Sequence, residues 1–65
     1  MKIESIGFED NYIYCKTYGG EVLRQPLHFY PRLNHATDTQ RTDYYLSTVD
    51  IHWRNIDEDI SFESF

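Results

Sequence analysis

The sequence predicts a small α+β domain, an antiparallel sheet of four to five strands carrying one or two short helices. Three observations carry that expectation. Tyr12 to Tyr18 alternates, with Ile13, Cys15 and Thr17 on one face and Tyr12, Tyr14, Lys16 and Tyr18 on the other, and Gly19-Gly20 follows at once. Thr37-Asp38-Thr39-Gln40 has the form of a helix-starting capping box. A length of 65 residues leaves room for one domain, 1–65, with no linker, repeat or low-complexity stretch.

Taken in order, Ile3, Ile6 and Phe8 mark a first strand, closed by the polar turn cluster Glu9-Asp10-Asn11. The alternating segment is the second strand, β-branched and aromatic as a half-buried pleated surface requires. Glycine reaches the positive φ angles of a tight hairpin, so Gly19-Gly20 predicts a return strand over Glu21 to Gln25. Pro26 ends it, lacking a donor for the ladder. Leu27, Tyr30 and Leu33 recur at helical spacing, but Pro31 limits that segment to about a turn.

The capping box predicts a helix near 38–43, with Asp38 complementing the dipole of its first turn. Tyr44 to Thr48 and Val49 to Trp53 read as extended. Ile51 and Trp53 share one face there, with His52 on the other. Ile56 and Ile60 bracket Asp57-Glu58-Asp59, and Ser61 is placed to cap a last helical turn holding Phe62 and Phe65.

The core of so short a chain is thin, because only about 60% of the unfolded surface is buried at this size. No disulfide can support it, since Cys15 is the only cysteine, and a lone thiol suits a reducing compartment. The start, Met1-Lys2-Ile3-Glu4-Ser5-Ile6, has no apolar run, and no stretch approaches the roughly 20 apolar residues of a membrane span. A cytoplasmic protein without a membrane partner is expected.

The net charge of −5 is unevenly distributed. Asp50, Asp57, Glu58, Asp59 and Glu63 stand against Arg54 alone in residues 50–65, whereas the preceding residues are nearly balanced. Such a face repels phosphate, which argues against direct nucleic-acid binding. It attracts a basic protein partner, or it simply keeps a small domain in solution. Aromatic residues reach 17%, with six tyrosines and Trp53, and these residue types serve both small cores and interfaces.

No constellation predicts catalysis, a metal or a cofactor. His28 and His35 are seven apart with Pro31 between them, which matches neither a zinc-finger gap nor a helical i, i+4 pair. Cys15 lies on the apolar face of its strand, where a thiol is inert. Asp57-Glu58-Asp59 with Asp50 offers oxygens to a hard cation but lacks the glycine and terminal bidentate glutamate of an EF-hand loop. A metal-dependent hydrolase would add His52 to that cluster, yet the basic groove of a nuclease is missing. Gly19-Gly20 has no lysine and hydroxyl residue behind it to make a phosphate loop.

Several stretches resemble one family. Tyr30-Pro31-Arg32-Leu33, Ala36-Thr37 with Gln40-Arg41, Ile51-His52-Trp53 and Asp57-Glu58-Asp59-Ile60-Ser61 are similar to domain-of-unknown-function family 2442 (DUF2442), a group of small bacterial proteins. The likeness spans nearly the whole chain and is most specific over 51–61. Arg54 stands where members often carry Pro, and Asp50 where they often carry Gly, which alters the turn chemistry at that strand's ends. The resemblance implies an α+β domain on an antiparallel sheet and no activity. Some relatives append a helix-turn-helix segment, and related small proteins are often encoded beside another small protein, which implies an antitoxin-like pairing.

The reading that follows is a protein-interaction module meeting a small basic protein. Asp57, Glu58 and Asp59 would steer it, His52 would lie beside them on the surface, and Trp53 or a tyrosine would supply the apolar anchor. Core packing is the favoured reading of Trp53 over contact, since conspicuous residues of a small domain often form its core. The alternatives are a homodimer formed through an exposed strand edge, a transcription-regulatory accessory domain, and a carboxylate-dependent hydrolase.

Overall fold

The structure, a computed structural model, describes residues 2–65. Its strands are β1 (Ile3–Glu9), β2 (Tyr12–Thr17), β3 (Val22–Pro26), β4 (Tyr44–Leu46), β5 (Asp50–Trp53) and β6 (Glu58–Ser61). The α+β class holds, but the single sheet of four to five strands does not. Two antiparallel three-stranded sheets form instead, β1-β2-β3 and β4-β5-β6. The reason lies between β3 and β4. That segment folds as a 3-10 turn at Leu27–Phe29, a helix α1 at Pro31–Asn34 and a helix α2 at Asp38–Thr42. So long a helical connection carries the chain away from the first sheet, and β4 starts a meander of its own.

The first sheet follows the expected pattern. Asp10 and Asn11 both take positive φ, 51° and 68°, as a two-residue hairpin turn requires. Ile13 and Cys15 are fully buried and Thr17 nearly so. At the other hairpin only Gly20 is left-handed, at φ 90°, and the Gly20 amide donates to the Thr17 carbonyl at 3.1 Å. Ile3 would face away from Ile6 and Phe8 in a regular strand, because their numbers differ in parity. A register shift between Ile3 and Ser5 corrects this, pairing Ile3 with Thr17 and Ile6 with Cys15.

Pro26 closes β3 on the sheet's edge, where a missing amide is tolerated. Pro31, expected to limit its segment to about a turn, stands at the head of a one-turn helix and not within a longer one. It opens α1 at the first position, where its fixed φ fits and no donor is needed. The capping box at α2 is complete: the Gln40 amide donates to Thr37 Oγ1 at 3.1 Å, and the Thr37 amide donates to Gln40 Oε1 at 2.9 Å. Ser61 accepts from the Glu63 amide at the start of a closing 3-10 turn, Phe62–Ser64.

Both sheets and the helical connection share one core. It holds Ile3, Ile13, Cys15, Leu27, Leu33, Ile51, Trp53, Ile60 and Phe62. Gln25 is the polar residue drawn into it beside Thr17, and its Oε1 accepts from the Tyr30 hydroxyl at 2.9 Å.

Candidate functional site

The second sheet positions the residues singled out in the sequence. Antiparallel pairing sets Tyr45 opposite His52 and His52 opposite Asp59, so the three form a row across the sheet's outer face. The Tyr45 and His52 rings are 5.0 Å apart, centroid to centroid. His52 Nδ1 lies 3.5 Å from Asp59 Oδ2, an ion-pair distance when the imidazole is protonated and too long for a hydrogen bond. The Arg54 guanidinium stands 4.9 Å from the centre of the Tyr45 ring, within reach of a cation–π contact. Tyr45 is thus held between two neighbours while remaining 46% exposed.

The acidic triplet does not act as one cluster. Asp57 occupies the β5–β6 turn at φ 51°. Its carbonyl accepts from Arg32 Nη1 at 2.7 Å and its carboxylate lies 3.9 Å from the same nitrogen. Glu58 and Asp59 are consecutive strand residues and point to opposite faces. Glu58 pairs with Trp53 on the core side, half-buried, while Asp59 faces solvent.

Trp53 requires a correction as a contact residue. It is fully buried, and its indole N–H donates to the Arg41 carbonyl at 2.9 Å. A side chain without exposed surface cannot anchor a partner. Tyr45 and Arg54, which the sequence reading did not single out, occupy the surface instead. Their signal was present in Tyr44-Tyr45-Leu46: if Tyr44 and Leu46 pack inward, Tyr45 must point out.

The remaining chemical groups do not converge. Burial pushes the Cys15 thiol above its ordinary value, so it stays protonated and unreactive. Burial also raises the Tyr30 hydroxyl; a hydrogen bond with Ser64 opposes that rise and the Glu58 charge adds to it. His28 packs edge-on against Phe29, and His35 is exposed at the end of α1. Among the described residues, no three His, Cys, Asp or Glu side chains are grouped to hold a metal ion. No helix among them is long and apolar enough to cross a membrane.

No match was found among curated proteins or among solved structures. The sequence model of the family described as "Protein of unknown function (DUF2442)" matches residues 3–65, which cover the whole β1-to-β6 architecture and the row on its second sheet. The chain belongs to the DUF2442 family.

Proposed function

We propose that this chain is a protein-interaction domain that binds a small basic protein through the outer face of β4-β5-β6. The observation that supports this most is Tyr45, exposed yet flanked by Arg54 and His52 in a row that ends at Asp59. An aromatic ring already held in place loses little entropy on binding, and tyrosine joins a large apolar body to a polar tip. Asp59 on the same face and Asp57 at its turn give a basic partner its charge complement. An antitoxin-like role, with the domain capping a toxic partner, is the form of this reading that the family resemblance favours.

The test is capture from native lysate with the tagged full chain, followed by binding measurements on the protein recovered. The expected partner is basic and is released by salt. Tyr45→Ala should weaken it by about 2 kcal/mol, the threshold of an interface hot spot. Asp57→Asn with Asp59→Asn should slow association and flatten its salt dependence. A partner bound equally well by all these variants would remove this face from the reading.

A further inference from the structure

The free edge of the first sheet presents a second, different surface. Backbone bonding alternates along an antiparallel pair, so half of an edge strand's groups point outward. The parity is fixed by neighbouring bonds. The Thr17 amide donates to the Glu21 carbonyl and the Leu27 amide to the Asn11 carbonyl, both at 2.9 Å, while the Tyr18 amide donates to the Lys2 carbonyl at 3.2 Å. Odd-numbered residues of β2 therefore bond toward β3 and even-numbered ones toward β1. Gly7 and Glu9, opposite Tyr14 and Tyr12, spend their groups on β2. Ile6 and Phe8 direct their N–H and C=O away from the sheet.

That edge is one wall of an open cleft of about 710 Å³, within the roughly 300–1,000 Å³ typical of binding clefts. Asp38, Arg41 and Thr42 of α2 and Tyr44 at the start of β4 complete the lining. Two aromatic rings, Phe8 and Tyr44, give it apolar surface. Its charge is unequally committed. The Arg41 guanidinium donates to the Leu33 carbonyl at 3.1 Å and the Asn34 carbonyl at 2.8 Å, and lies 5.6 Å from the Phe8 ring centre. The Asp38 carboxylate takes part in neither of the two ion pairs found among the described residues.

We propose that this cleft receives an extended peptide segment of another protein, with alternating apolar side chains and a basic residue, as a fourth strand on β1. Ile6 and Phe8 supply the main-chain hydrogen bonds, the two rings take the apolar side chains, and Asp38 meets the basic residue. The cleft itself argues against a second copy of the chain. A strand entering it has α2 and Tyr44 on its far side, where a second copy would need to fit its own β2 and β3. Two chains of net charge −5 also repel one another. The proposal is independent of the Tyr45 face, which lies on the other sheet.

The probe is an acetylated, amidated heptapeptide of alternating lysine and valine, titrated into the isotope-labelled full chain. Saturable binding should slow amide exchange at Ile6 and Phe8 about tenfold. Two further peptides carry N-methyl groups on all lysine or on all valine nitrogens. Alternate amides of a strand point to the same side, so one of these should bind about thirtyfold more weakly through two lost hydrogen bonds, and the other almost normally. Asp38→Asn should weaken binding several-fold, and Tyr45→Ala should leave it unchanged.

Equal binding of both methylated peptides would reduce the effect to charge attraction and overturn the proposal. Unslowed Ile6 and Phe8 amides would do the same, as would loss of binding in Tyr45→Ala. A dimer mass by light scattering, with those amides already protected, would assign the edge to a second copy instead.

Discussion

Trp53 and Arg41 are joined by a hydrogen bond that runs opposite to the arginine's own contacts. The indole N–H donates to the Arg41 carbonyl at 2.9 Å, while the arginine side chain reaches the carbonyls of Leu33 and Asn34. One residue of α2 thereby connects the core of the second sheet to the end of α1. Trp53→Ala removes the largest fully buried side chain and leaves the Arg41 carbonyl unpaired. A loss of about 3–5 kcal/mol is expected, against a total of about 3–10 for a chain of this length. Trp53→Ala should therefore lose roughly half or more of the domain's stability, read by circular dichroism as a urea midpoint far below the parent's. Trp53→Phe, which keeps most of the apolar volume, should still fold cooperatively with a lower urea midpoint.

The β1–β2 turn gives a prediction that separates two substitutions at one position. Asn11 sits at φ 68°, a conformation glycine adopts without penalty. Asn11→Gly should leave stability within about 0.5 kcal/mol of the parent, since asparagine already tolerates this region. Asn11→Val should lower it by about 1–2 kcal/mol, because a β-branched side chain is strained there. Thermal melts of the pair would test the turn directly, and equal melting temperatures would contradict the assigned geometry.

Alkaline pH should destabilise the domain through Cys15 and Tyr30. Both groups are pushed above their ordinary values in the folded chain, chiefly by burial. Their contributions are complete below the unfolded values and are lost as pH rises through the folded ones. Above roughly pH 8.5 for the thiol and roughly pH 10 for the phenol, the unfolded chain releases protons that the native state retains, so stability falls with pH. Urea midpoints between pH 7 and 10.5 should decline. Cys15→Ala should start lower, from lost packing, but decline less between pH 8 and 10. An unchanged slope in that variant would show that the thiol is not the group responsible.

Local features of the fold were legible in the sequence and long-range choices were not. The alternation of Ile13, Cys15 and Thr17, the turn at Asp10-Asn11 and the Thr37–Gln40 box each depend on neighbours a few residues away. The split into two sheets depends on where β4 pairs, and no residue in Tyr44–Leu46 encodes that choice by itself. In the candidate site, His52 and Asp59 could be placed on a surface because strand parity is local. Composition alone makes the triplet 57–59 read as one acidic cluster, whereas Asn55 and Asp57 are also turn-forming residue types. With Asp57 in the turn, Glu58 and Asp59 had to part. Trp53 drew attention for its size and rarity, the same properties that place it in a thin core.

Finally, the register shift at the start of β1 gives the chain one spare residue. Ile3 pairs with Thr17 and Ser5 with Lys16, so Glu4 is the position without a counterpart on β2. Removing Glu4 would straighten the strand while leaving Ile3, Ile6 and Phe8 opposite the partners they have now. Removing Ser5 would use up the same slack, with Glu4 taking its place. Removing Gly7 instead would bring Ile6 directly before Phe8 in a stretch with no slack, and one of them would have to turn outward. Tolerance to shortening in this strand therefore changes within two residues, from harmless at Ser5 to disruptive at Gly7.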